Sequence, residues 1–350
     1  MHPIPPITSP LLAWYSQHSR SLPWRDNPFP YAVWVSEIML QQTRVEAVKP
    51  YFDRFLQELP TIRHLAQANE QTLLKLWEGL GYYSRVRNLQ KAAQVVVQNY
   101  GSQLPASFEE LKQLPGIGDY TAGAIASIAF QLPVPAVDGN VLRVTTRLTV
   151  DDRDITKPAV KKDYFQRISE ILQPLARSGD FNQALMDLGA TICLPNGLPK
   201  CDQCPVSHLC RAFLENRTMD FPVKPEKKPR KIEKRTVFLL VKDHSVALRQ
   251  REASGLLAGL WEFPQVEGSL TAKTAAEQLK IWGIEHQTIQ KTPRHKHIFS
   301  HIEWHMVGYA VSCKEISLCD PAFVWVSQEE LQKTFPLPAA FQPFVSEIPW

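Results

Sequence analysis

Between Leu11 and about Ile192, apolar positions recur every three or four residues, the spacing of amphipathic helices, with short polar or proline-bearing breaks. The stretch "SFEELKQL" opens with Ser107 and Glu110 at capping-box spacing, and Pro115 helps to end that helix. After Gly118 the small-residue run "TAGAIASIAF" predicts a second, tightly packed helix. From Thr236 the period changes: "TVFLLVK" and "VALRQR" flank a short polar turn, "AFVWVS" reads as a later strand, and "QEELQKTF" predicts a helix after it. No internal repeat is visible. The pattern therefore predicts a helical region over 1–220, a linker over 221–235 and a smaller α+β domain over 236–350.

Composition changes this picture little. A chain of 350 residues suits two or three domains, and 44% apolar with 21% charged residues is a globular balance. The longest apolar candidate, Thr121 to Val137, is interrupted by Gln131, Pro133 and Pro135, so no membrane span is expected. The start "MHPIPPITSP" lacks the basic and apolar regions of a secretory signal, and the expected compartment is the cytoplasm.

Charge matters only once located. The formal +4 is concentrated in "KPEKKPRKIEKR", which carries a net of about +5 at neutral pH and reads as a solvated linker able to touch phosphates.

Four of the six cysteines, Cys193, Cys201, Cys204 and Cys210, lie in "CLPNGLPKCDQCPVSHLC". Thiolates so crowded repel one another unless a cation or cluster neutralises them, and a reducing cytoplasm disfavours disulfides. The spacing predicts a four-thiolate metal site. A compact run suits an iron–sulfur cube, while zinc remains open on spacing alone. Cys313 and Cys319 lie far downstream and read as reduced structural residues.

The segment "LPGIGDYTAGA" places Gly116 and Gly118 in a turn between two helices. Such a turn aims backbone N–H groups outward, toward an anion such as a phosphate, although glycines that merely end and start helices look the same. Twenty residues beyond Gly118, within "QLPVPAVDGN", stands Asp138, which taken alone is a turn residue. Glu37 has Val33, Trp34 and Leu40 as its helical neighbours, so burial should raise its pKa and keep a proton on it. Asp138 could instead accept N–H bonds as an N-cap, which would keep it anionic.

Together the hairpin, the Gly/Pro loop and its aspartate resemble the helix-hairpin-helix glycosylases of the endonuclease III superfamily. The cysteine loop occurs in the same superfamily, and the resemblance implies one [4Fe–4S] cluster on the four cysteines, with the first spacer one residue longer than usual. "WVSEIMLQQTRVEAV" and "GLGYYSRVRNLQKAA" are similar to the adenine DNA glycosylases of the MutY type.

The resemblance implies an all-α glycosylase domain, with a six-helix part over 26–132 and an iron–sulfur part over 1–25 plus 133–220. It makes Glu37 the proton donor and Asp138 the group that stabilises the oxocarbenium ion or attacks it, with Asn140 beside it. Tyr120 stands where lyase members carry a lysine. A phenol cannot form a Schiff base, so base removal without strand cleavage is expected. Further implied contacts are Gln42 and Tyr82 in the base stack and Trp24, Arg25 and Gln183 near the adenine pocket.

"GLLAGLWEFPQ" and "HIFSHIEWH" resemble a Nudix-like lesion-reading domain, in which Phe299, Ser300 and His301 match the segment touching the base opposite adenine. After "AAEQLKIWG" the glutamate-rich helix of a Nudix hydrolase is missing, so this domain should read rather than cut. His295, His297, His301 and His305 alternate as on a strand, a solvated face or a metal site.

The implied function is a monofunctional glycosylase excising adenine opposite 8-oxoguanine or guanine. The implied partners are double-stranded DNA and a monovalent cation at the hairpin, with the protein a monomer. The alternatives are a pyrimidine-specific glycosylase and abasic-site lyase, or a noncatalytic iron–sulfur DNA-binding protein.

Overall fold

In a computed structural model the protein is described over residues 2–226, 229–316 and 323–350. Contacts between Cα atoms sort the chain into two compact units, Met1–Ala68 with Arg87–Glu226, and Asn69–Val86 with Lys227–Trp350. No helix among the described residues is long and apolar enough to cross a membrane.

The first unit is helical. The helix Thr8–His18 buries Leu11 and Tyr15 among Val144, Leu148, Ile168, Leu172 and Phe181, so the start of the chain packs with the segment beyond residue 133. The hairpin forms as the sequence predicts. Ser107 caps the helix Phe108–Gln113 by accepting from the Glu110 N–H, and the small-residue helix runs over Asp119–Phe130.

Small residues set how closely the next loop approaches that helix. A Cβ on Gly123 would lie 2.0 Å from the Pro135 carbonyl oxygen, so only glycine lets the loop toward Asp138 pack where it does. The Asn182 amide pins the same loop: it donates to the Val134 carbonyl at 2.9 Å and accepts from the Ala136 N–H at 3.2 Å. Gly123→Ala is expected to destabilise the protein by about 1–3 kcal/mol through overpacking, read as a lower denaturation midpoint. An unchanged midpoint would show that the loop yields freely.

The second unit is built on a mixed sheet of β1 (Lys231–Lys242), β2 (Ser245–Gln250), β3 (Trp261–Glu262), β4 (Gln265–Glu267), β5 (Ile284–Lys291), β6 (His295–Ile298), β7 (Ile302–Ile316) and β8 (Phe323–Ser327). Its order is β3-β2-β1-β7-β5, with β4 on β1, β6 on β7 and β8 on β2. β1 and β7 are parallel, and the other pairs are antiparallel. The period of two in β1 sends Val237 and Leu239 to one core with Phe341 and Phe344. Phe238 and Leu240 face another, with Ala275 and Leu279 of the helix Ala272–Ile281. Burial on both faces explains why the strand reads as a continuous apolar run.

Two boundaries differ from the sequence reading. Lys231–Arg235, expected in the linker, are the first residues of β1, because strand pairing to Ile302–Met306 satisfies their backbone despite their charge. Asn69–Val86, expected wholly within the glycosylase region, belong by contact to the C-terminal unit. Lys227, Lys228 and Cys319 lie outside the described residues, and Cys313 is a buried free thiol.

Candidate active site

Glu37 sits in the helix Pro30–Leu40, nearly every residue of which is buried, and is itself 5% exposed. Its Oε2 accepts a 2.6 Å hydrogen bond from the Tyr120 hydroxyl. Burial pushes the Glu37 carboxyl up from 4.5 to about 7. The Tyr120 bond and the Arg25 charge pull it down, and the Asp138 charge pushes it further up. The carboxyl therefore holds its proton close to neutrality, as the apolar neighbours in sequence predict.

Asp138 is the N-cap of the helix Gly139–Thr149, accepting from the Val141 N–H at 2.7 Å and from Asn140 Nδ2 at 2.6 Å. The capping geometry agrees with the sequence reading, but its electrostatic consequence does not. Burial outweighs those bonds, so the Asp138 pKa is raised rather than lowered. Asn140 is in turn held by Arg143, whose guanidinium donates 2.9 Å to Asn140 Oδ1 and 2.7 Å to the Gly189 carbonyl.

One cavity of about 180 Å³ brings these groups together: Glu37, Tyr120, Asp138 and Asn140 line it with Trp24, Arg25 and Gln183. Trp24 is buried edge-on against Phe52. Gln183 has no hydrogen-bond partner among the described residues, which leaves its amide for a ligand. Arg25 grips Asp187 bidentately at 2.7 and 3.0 Å, and Arg20 holds the same carboxylate at 2.6 Å.

Asp187 and Arg20 escaped the sequence reading. The available signal was the carboxylate of Asp187 set in "ALMDLGA", a run of small and apolar residues where a buried charge demands a partner.

The cavity adjoins a wider cleft of about 1030 Å³ that shares Glu37, Tyr120 and Asp138. Gln42, Gly118, Lys112, Lys161 and Lys162 line this cleft. Gly116 has φ +78°, and a Cβ there would fall 2.7 Å from Asn88 Cβ, so the turn needs glycine. Gly118 is extended with open space around it, and no side chain caps the helix that follows it. The first-turn N–H groups remain for an anion. Gln42 is exposed with φ 58°, a left-handed backbone rare outside glycine and asparagine.

In the C-terminal unit, Tyr82 also has a left-handed backbone, at φ 48°, and its hydroxyl shares a 3.0 Å hydrogen bond with Ser300 Oγ. The turn between β6 and β7, closed by Phe299 N–H donating to the Ile302 carbonyl, presents Ser300 and His301 to solvent. Phe299 itself packs edge-on against Trp304. The helix Ala272–Ile281 carries a single carboxylate, Glu277.

Of the four histidines, His295 and His297 lie on β6, His305 pairs with Glu303 on β7, and His301 occupies the turn. Among the described residues, no group of three or more His, Cys, Asp or Glu side chains could hold a metal ion.

The four cysteines are thus not gathered around a single ion, which leaves a cube untouched. In a [4Fe–4S] cluster each thiolate takes a different iron, so the sulfurs do not converge on a point. Cys193, Cys201, Cys204 and Cys210 are free thiols, three of which pack against the core of the first unit. Arg147 donates 3.2 Å to Cys193 Sγ, an interaction suited to thiolate character. The donor set fits a cluster.

Comparison with known proteins places both units. Residues 35–170 match the family model described as HhH-GPD superfamily base excision DNA repair protein, and residues 236–347 match a NUDIX domain. The chain is 37% identical to adenine DNA glycosylase of Rattus norvegicus, over 92% of this chain and 74% of that protein. To the Schizosaccharomyces pombe adenine DNA glycosylase it is 34% identical, over 92% and 85% respectively. A solved thermostable thymine-DNA glycosylase superposes with TM-score 0.53 at 29% identity, covering 60% of this chain and 95% of that one. An endonuclease III–DNA complex, at 23% identity and TM-score 0.52 over 62% and 99%, shares the fold of the helical region.

Proposed function

The chain belongs to the adenine DNA glycosylase family, and on that premise we propose that it hydrolyses the N-glycosidic bond of adenine mispaired with 8-oxoguanine or guanine in double-stranded DNA. The observation that carries this reading is the cavity lined by both Glu37 and Asp138, with the Glu37 carboxyl raised to about 7.

Adenine is a poor leaving group until a ring nitrogen is protonated. A base flipped from the duplex into the cavity meets Glu37, whose raised pKa keeps that proton available at neutral pH. As the bond lengthens, the sugar gains positive charge, and the Asp138 carboxylate stabilises it at short range or forms a transient covalent acetal. Water then completes hydrolysis.

The free amide of Gln183 and the Arg25 guanidinium fixed by Asp187 suit the edge of a purine. Tyr120 supplies no amine, so the strand stays intact. Lys161, Lys162 and the uncapped helix start at Gly118 offer a phosphate-binding wall to the outer cleft. Gln42 and Tyr82 are read as the residues entering the base stack, and Ser300 as the hydrogen-bonding partner of the oxidised guanine.

Cys193, Cys201, Cys204 and Cys210 would hold a [4Fe–4S] cluster. When bound, such a group ties down the loop and contributes folding free energy.

The test is incubation with duplexes carrying adenine opposite 8-oxoguanine or guanine, followed by hot alkali. Alkali-dependent breaks only at adenine support the proposal. Breaks without alkali indicate a lyase, and binding without breaks indicates a noncatalytic protein. Either outcome overturns it.

Tyr120→Phe adds a sharper check. Its hydroxyl bond holds the Glu37 pKa down, so its removal should move the alkaline fall of kcat to higher pH. A profile unmoved by this variant would remove Tyr120 from the control of Glu37.

A further inference from the structure

The segment Asn69–Val86 is continuous in sequence with the helical domain, yet its contacts place it with the C-terminal domain. Two side chains bond it to residues 331–342. Lys75 Nζ donates to the carbonyls of Leu331 and Phe335, each at 3.1 Å, around the end of the helix Gln328–Lys333. Glu78 Oε1 accepts from the Leu337 N–H at 2.7 Å and from Gln342 Nε2 at 3.1 Å. Lys75 and Glu78 are 2.6 Å apart, with side chains only 18% and 17% exposed. Each thus pairs with the other and with polar groups of residues 331–342, an arrangement that fixes position as well as charge.

The pair brackets Trp77 in sequence, and from Trp77 contacts run to Tyr82. Trp77 is fully buried and donates from its indole N–H to the Gly81 carbonyl at 3.1 Å. Arg85 donates to the Leu80 and Gly81 carbonyls at 3.1 and 3.0 Å, and its guanidinium lies over the rings of Trp77 and Tyr82. Gly79 and Gly81 have φ of 99° and 71°, so the loop bends sharply into the left-handed backbone of Tyr82. The Tyr82 hydroxyl then meets Ser300.

We propose that Lys75 and Glu78 form a clamp by which the C-terminal domain positions Tyr82 beside Ser300, and that this clamp sets how strongly the base opposite adenine is discriminated. Lys75 and Glu78 are positioning residues and touch no DNA themselves. The substrate half of the inference rests on the proposed reading of 8-oxoguanine. The positional half does not. Without the clamp, the loop 79–83 keeps its covalent ends but loses its fixed distance from the turn 299–302, so a contact that must be within a fraction of an ångström becomes one conformation among several.

The test uses the full-length protein with Lys75→Met, Glu78→Met and their double variant, alongside Glu78→Gln, which keeps an acceptor oxygen for the Leu337 N–H. Single-turnover cleavage is measured with adenine opposite 8-oxoguanine and opposite guanine, and hydrogen exchange is followed on the free protein. The expected result for the double variant is a roughly tenfold loss of the 8-oxoguanine-to-guanine rate ratio, with the guanine rate within about twofold of the parent, and with Glu78→Gln restoring most of the ratio. Exchange should rise in 76–83 and 299–302 and stay unchanged in 108–149. An equal fall on both mispairs indicates general structural damage and overturns the proposal, as does an unchanged ratio. Unaltered exchange at 76–83 sinks the clamp whatever the substrate proves to be. A parent protein that cleaves neither mispair would instead refute the proposed function, leaving the exchange result to decide the clamp.

Discussion

Glu37→Gln is expected to bind mismatched DNA as the parent does but to lose about 10²–10⁴-fold in kcat, the range for removing a general acid. Gln is isosteric and can still accept the Tyr120 hydroxyl, so the cavity should keep its shape.

The pH dependence follows from the same group. Only protonated Glu37 can donate, so the parent's kcat should fall as pH rises through about 7, and the residual rate of the variant should lack that limb. Stability supplies a second readout. In the unfolded chain the carboxyl titrates at its ordinary 4.5 and in the folded protein at about 7, so the folded state holds the extra proton between them. Parent stability therefore declines as pH rises from 4.5 to 7, by about 3 kcal/mol in all, and stays low above it. Glu37→Gln should escape this decline and be the more stable protein at pH 8, with little difference at pH 4. Denaturation midpoints at the two pH values check this. Undiminished turnover, or a parent whose stability ignores this pH range, would remove Glu37 from the assigned role.

Asp138→Asn isolates charge from capping. Asparagine caps helices as well as aspartate does, so the Val141 N–H keeps an acceptor although the Asn140 amide loses one, and the denaturation midpoint should move less than in Asp138→Ala. The negative charge is gone, and kcat should drop by about 10²–10³-fold, as when one electrostatic stabiliser of a transition state is removed. Asp138→Ala should lose the same activity and about 1 kcal/mol of stability besides. Burial raises the Asp138 pKa, and the Asp138 charge helps to raise that of Glu37, so the parent should show a bell-shaped profile belonging to the pair. An asparagine variant within tenfold of parent kcat would exclude the charge from the mechanism.

Local features were legible without coordinates. The apolar neighbours of Glu37 lie within one helical turn, and that spacing alone foretold its burial. Ser107 and Asp138 became caps because capping is settled within three residues. The apolar run "TVFLLVK" marked a strand, although only the structure shows its side chains divided between two cores. Asp138 marks the limit of this kind of reading. Its cap could be foreseen, but the direction of its pKa could not, because the cavity wall that desolvates it comes from segments far away in the chain.

The sequence by itself determined the helical and α+β halves, the cysteine loop, the hairpin glycines and the identity of the candidate acids, since each is written in residues a few positions apart. Tertiary structure alone decided that Tyr120 meets Glu37 across 83 positions, that Asp187 holds Arg25 across 162, and that residues 69–86 join the C-terminal unit. Bonds of that span depend on how whole helices and sheets pack, and packing energy is spread over many apolar contacts that no short motif records.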